Sequence, residues 1–139
     1  MKILVSACLL GRNCKYNGGN NLDEKVMDFV RGKEVIEVCP EAQAGLGIPR
    51  VPIEIVNGVL RDQAGNDKDG VVREAIEEIL KSIEGQQIQC AILKSRSPTC
   101  GPRQVYDGTF SGKLVDGAGL FARALMEKGI RVVDAEELE

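Results

Sequence analysis

A chain of 139 residues is the size of one domain, and its 43% hydrophobic content, mostly aliphatic, suffices for one core. A net charge of −3, with two tyrosines, three phenylalanines and no tryptophan, argues against a nucleic-acid surface, a membrane surface and a stacking platform for single strands. Histidine is absent, which removes histidine bases, Ser-His-Asp and Cys-His pairs, and histidine metal ligands.

Lys2 to Ala7 reads as a buried strand, by its apolar run and length. That run is too short for a secretory leader, and no stretch approaches the ~20 apolar residues of a membrane span. The expected compartment is the cytoplasm. A loop from Cys8 to Asn21 follows, with Asn21 placed to cap a helix from Leu22 to about Arg31 that ends at Gly32. Glu34 to Val38 is a second strand, and Cys39 to Pro52 is loop-like, with room for one helical turn. Ile53 to Leu60 is a hairpin turning on Asn57-Gly58, whose residue types suit positive φ angles. Gln63 to Asp69 reads as a solvated loop. Val71 to Ile83 carries apolar residues at the helical period.

Gln89 to Lys94 is a third core strand, and Ser95 to Gly112 a long loop of the kind that is usually functional. A helix from about Leu120 to Lys128 ends at Gly129. Ile130 to Val133 is the last strand, with an acidic turn over 134–139. Strand alternating with helix predicts a single α/β domain over 1–139: a three-layer sandwich with a Rossmann-like, largely parallel sheet and an appended β-hairpin.

Three of the five cysteines stand in loops, each just after a predicted strand: Cys8, Cys39 and Cys100. In a parallel sheet such loops share one rim, where ligands bind. Thiolates that meet usually hold a soft metal or do redox chemistry. Zinc-ribbon and ferredoxin spacings are absent, so an open zinc site and an iron–sulfur cluster with one iron lacking a protein ligand both stay open. Cys14, beside Arg12 and Lys15, is expected to have a depressed pKa and is a possible alternative ligand or resolving thiol. Cys90 lies inside a strand and is expected in the core.

Glu41, two residues past Cys39, is the acid/base candidate; a carboxylate in a partly buried site can shuttle protons. Ser97, three before Cys100, either orients a polar ligand or caps its own turn. Gly117 and Gly119 precede a helix and offer amides to an anion. Arg50, Lys94, Arg96 and Arg103 lie in the rim loops, where Arg50 and Lys94 are candidates to hold a substrate carboxylate or phosphate, and Glu54 is placed to pair with Arg50. Asp107-Gly108 reads as turn chemistry.

The runs Val5-Ser6-Ala7-Cys8-Leu9-Leu10-Gly11, Cys14-Lys15-Tyr16-Asn17-Gly18, Cys39-Pro40-Glu41, Pro49-Arg50, Ser97-Pro98-Thr99-Cys100-Gly101, Tyr106-Asp107-Gly108-Thr109-Phe110 and Gly117-Ala118-Gly119, in that order, resemble the thiouracil desulfidase family, long catalogued as a domain of unknown function. The resemblance runs from residue 2 to about residue 133. It implies a catalytic [4Fe-4S] cluster on Cys8, Cys39 and Cys100, with Glu41 and Ser97 assisting. It implies hydrolytic removal of sulfur, as sulfide, from small thiolated pyrimidines: 2-thiouracil or 4-thiouridine monophosphate. An exposed cluster of that kind is expected to be lost on aerobic preparation. Lys15 and Asn17 stand where the family usually has Arg and Asp, and Thr99 where Ser is common. The competing expectations are a zinc- or persulfide-dependent sulfur-handling protein using Cys14 or Cys100, and a metal or redox sensor.

Overall fold

The computed structural model describes residues 1–138; the last residue of the predicted acidic turn lies outside them. In chain order the elements are β1 (Lys2–Ser6), α1 (Glu24–Val30), β2 (Glu34–Val38), α2 (Pro40–Gln43), β3 (Ile53–Val56), β4 (Val59–Asp62), α3 (Asp69–Ser82), β5 (Ile88–Leu93), β6 (Gln104–Tyr106), β7 (Leu114–Asp116), α4 (Leu120–Glu127) and β8 (Val132–Asp134). Short 3-10 turns follow β1 at Ala7–Leu10 and β8 at Ala135–Glu137.

The central sheet has the order β2-β1-β5-β8, and every neighbouring pair is parallel. Alternation along the strands divides the core into two faces. Ile3 and Val5 of β1 join Cys90 and Ile92 of β5 against Val26 and Val30 of α1. Leu4, Ala91 and Leu93 face the other way, onto Val72, Ile76 and Ile79 of α3 and Phe121 and Leu125 of α4. The three-layer arrangement follows directly, and Cys90 is a core residue. None of the described helices is long and apolar enough to cross a membrane.

Strand order, which periodicity leaves open, places the ligand crevice. β1 leads to α1 on one face, whereas β5 leads to α4 on the other. The loops leaving these adjacent strands diverge, and a crevice opens at their carboxyl ends.

Local structure departs from expectation in two places. Asp23, not Asn21, caps α1: its carboxylate accepts from the backbone N–H groups of Lys25 (2.9 Å) and Val26 (3.2 Å). A carboxylate suits the positive end of a helix. The Ser95–Gly112 segment is not all loop, since β6 pairs antiparallel with β7 to form a second hairpin. Strands of three residues are too short to show alternation. In the predicted hairpin, β3 and β4 turn on Asn57 and Gly58 at φ 51° and 80°, as that dipeptide requires.

Candidate active site

A cavity of about 580 Å³ lies at the carboxyl ends of β1, β2 and β5, within the range of small-molecule sites. Its wall includes Cys8 in the turn after β1, Cys39 directly after β2, and Cys100 in the turn after β5. Three adjacent parallel strands thus deliver three thiols to one space. Cys14 joins them from the loop after Cys8, and all five cysteines are free thiols.

Each thiol has its own surroundings. Burial pushes the Cys8 thiol up, against an opposing hydrogen bond from the Asn21 side chain. Asn21 therefore belongs to the cavity wall instead of capping α1. Cys39 donates to the Cys14 carbonyl at 3.8 Å. Burial also raises Cys100, partly offset by a hydrogen bond from Ser6. The Ser6 hydroxyl oxygen also accepts from the Lys94 N–H at 3.1 Å, so one buried serine binds the ends of β1 and β5 and the third thiol together. Cys14 is opposite to expectation: burial, and then neighbouring Cys39, push its pKa up to about 12. Arg12 is drawn away to Glu37, at 2.8 Å, and does not face the thiol.

Glu41 lies in the single turn α2, where Pro40 takes the first helical position, which needs no donor. Both of its carboxylate oxygens are held. Oε1 faces Arg50 Nε at 3.3 Å, and Oε2 accepts from Thr99 Oγ1 at 2.9 Å. The Arg50 and Glu41 side chains are 7% and 15% exposed, so this is a largely desolvated ion pair. Arg50 also donates to the carbonyls of Gly47 (3.0 Å) and Cys14 (2.9 Å). Expected to hold a substrate anion, it is committed to orienting Glu41. The predicted Glu54–Arg50 pair does not form. Glu54 is buried in β3 and accepts the N–H groups of Gly108 (2.9 Å) and Phe110 (3.2 Å).

Ser97 lines the cavity and caps its own turn: its oxygen accepts from the N–H groups of Thr99 (3.2 Å) and Cys100 (3.0 Å). With those amides on its lone pairs, its own proton is left to donate. Lys94 also lines the cavity; its ammonium donates to the Ser95 carbonyl at 3.1 Å, and among the described residues it has no carboxylate within ion-pair distance. Burial, and then nearby Arg96, lower its pKa. Arg96 and Arg103 pair instead with Glu136 and Glu137.

Gly117 and Gly119 are not part of the cavity wall, and their amides are taken. Gly117 N–H donates to Arg103 O and Gly119 N–H to Gly101 O, at 2.9 and 2.8 Å. The first amides of α4 go to Pro98 and Thr99: Leu120 N–H to Pro98 O at 3.2 Å, and Phe121 N–H to Thr99 O at 2.8 Å. A Cβ on Gly119 would lie 2.5 Å from the Thr99 carbonyl carbon. The helix end therefore clamps the Cys100 turn, and these amides already have carbonyl partners.

Thr99, Ser6 and Asn21 are the site residues that sequence reasoning missed. Thr99 had one local signal, its place between Ser97 and Cys100.

The fold and cavity define a small α/β protein with a thiol-lined pocket at the switch point of a parallel sheet. The family model described as 2-thiouracil desulfurase matches residues 3–137, and the chain belongs to that family of enzymes. It is 36% identical over 146 residues to the uncharacterized protein YbbK of Bacillus subtilis (strain 168), covering 98% of this chain and 97% of that one. The solved structure of a [4Fe-4S]-dependent thiouracil desulfidase, TudS, matches with a TM-score of 0.90 at 33% identity, over 99% of this chain and 92% of that one.

Proposed function

We propose that this chain removes sulfur, as sulfide, from thiolated uracil compounds by hydrolysis, C=S + H₂O giving C=O + H₂S. The observation that carries the reading is the meeting of Cys8, Cys39 and Cys100 in one cavity with a carboxylate held at both oxygens. The likeness to TudS, described as [4Fe-4S]-dependent, supports the same cofactor here.

The donor set fits that group. Three soft sulfur ligands come from three separate loops, with no histidine or fourth strand-end thiol. Cys8, Cys39 and Cys100 would hold the cluster, and when bound it supplies an iron free of cysteine that acts as a Lewis acid toward a soft thiocarbonyl sulfur.

The chain's own residues do the rest. Glu41, oriented by Arg50 and Thr99, holds a water against the ring carbon and takes its proton, then returns a proton to the departing sulfur. Ser97 donates its hydroxyl proton to a ring oxygen or nitrogen and fixes the pyrimidine's orientation. The raised pKa of Cys14 weighs against a persulfide carrier built on it.

The test is anaerobic reconstitution, followed by iron and acid-labile sulfide assay and measurement of sulfide released from 2-thiouracil and 4-thiouridine monophosphate. Cys39→Ala should lose cluster and activity together. An iron-free variant that still releases sulfide would end the proposal.

A further inference from the structure

The chain has two tyrosines, three phenylalanines and no tryptophan. Phe121 is fully buried in one core layer and Phe29 packs on the other. The remaining three, Tyr16, Tyr106 and Phe110, all line the cavity. A sequence this poor in aromatics places most of them around one small space.

Phe110 is also held in an unusual conformation. Its φ is +57°, in the left-handed region that a bulky aromatic seldom adopts and that glycine or asparagine would occupy more readily. Three contacts impose it. Glu54, a buried carboxylate, accepts the N–H groups of both Gly108 and Phe110 through one oxygen. Gly108, at φ +92°, lies so close to β3 that a Cβ would stand 2.5 Å from the Ile55 carbonyl oxygen. Asp107 accepts the Thr109 N–H at 2.9 Å and closes the turn. A buried carboxylate with no cation partner among the described residues thus serves to fix one loop, and that loop brings a phenyl side chain to the cavity.

We infer that Phe110 is a specificity-determining residue, an aromatic wall against which a flat heteroaromatic ring stacks, and that Glu54 is the positioning residue that sets it. Aromatic rings pack face to offset face or edge to face, so such a wall selects planar six-membered rings over other thiocarbonyl compounds. This rests on the desulfidase reading for the identity of the ring, a thiolated uracil, and not for its planarity.

The experiment uses cluster-loaded, full-length protein. Phe110→Ala should raise KM for 2-thiouracil roughly tenfold with kcat little changed, whereas Phe110→Tyr stays near wild type. Glu54→Ala should raise KM as Phe110→Ala does, and Glu54→Gln, which keeps an acceptor oxygen, should not. Equilibrium dialysis against uracil, the desulfurised ring, should give the same order of affinities without turnover. Wild-type sulfide release with unchanged KM and uracil affinity in Phe110→Ala would overturn the inference and leave the desulfidase reading standing. If wild type releases no sulfide, that reading falls. Dialysis then decides the wall alone: ring binding weakened by Phe110→Ala supports it, and no difference from wild type overturns it.

Discussion

Thr99 Oγ1 donates to Glu41 Oε2 at 2.9 Å, joining the turn after β5 to the helical turn after β2 across 58 positions of sequence. Thr99 is fully buried. Its hydroxyl has one strong acceptor in reach, and that acceptor is the carboxylate proposed to carry the proton. Cys100 follows Thr99 directly, so one turn orders both a thiol and the acid/base group.

Glu41→Gln should therefore lower sulfide release by about 10²–10⁴-fold, the usual contribution of a positioned proton carrier, while iron content stays at wild-type level. Thr99→Val should reduce kcat by a smaller factor, and Thr99→Ser, which keeps the hydroxyl, should restore it. Iron assay alongside initial rates separates this from loss of the cluster.

Arg50→Met tests the ion pair. It leaves a largely buried carboxylate facing Thr99 alone and frees the Cys14 and Gly47 carbonyls. Breaking such a pair from one side costs about 3 kcal/mol. Urea unfolding should show a lower midpoint with an unchanged slope. An unchanged midpoint would mean that the pair is hydrated in solution.

Iron retention should sort the cysteines. Alanine at Cys8, Cys39 or Cys100 should abolish iron binding after anaerobic reconstitution. Cys90→Ala should keep it, because Cys90 packs on the α1 side of the sheet. Cys14→Ala should keep it as well. Loss of iron in Cys14→Ala would make Cys14 a ligand.

Metal-free protein gives a pH-dependent measurement. With its pKa raised from 9.0 to about 12, Cys14 holds its proton at neutral pH, and only the thiolate attacks iodoacetamide. At pH 8, Cys14 should be alkylated far more slowly in the folded protein than in the same protein in denaturant. The rate should climb as pH rises from about 9 toward 12. Mass mapping reads each cysteine separately, and fast labelling of folded Cys14 at pH 8 would contradict its burial.

Gly119→Ala should destabilise the fold by about 1–3 kcal/mol, because its Cβ meets the Thr99 backbone. KM of the folded fraction should not change, since the amides at the α4 terminus are taken by backbone carbonyls. A raised KM at wild-type stability would restore the anion-site reading.

The elements were legible because their causes are local. The apolar run of β1, the apolar stripe of α3 and the Asn57-Gly58 turn each lie within a few residues of sequence. The β6–β7 hairpin was not legible, since three-residue strands carry no periodicity and are held by pairing to each other. The cap of α1 was misassigned by two residues because Asn21 and Asp23 are both good caps, and the Cys8 thiol draws Asn21 into the cavity wall.

The amino-acid sequence alone determined that three thiols would stand at strand ends and that Glu41 would follow one of them, because strand, loop and next helix are adjacent along the chain. Only the tertiary structure decided that β2, β1 and β5 are neighbours, that Arg50 meets Glu41 and not Glu54, and that the α4 amides close on Thr99. Those outcomes depend on which distant groups desolvate one another. A buried charge takes the partner that packing brings within reach, whatever lies nearest in sequence.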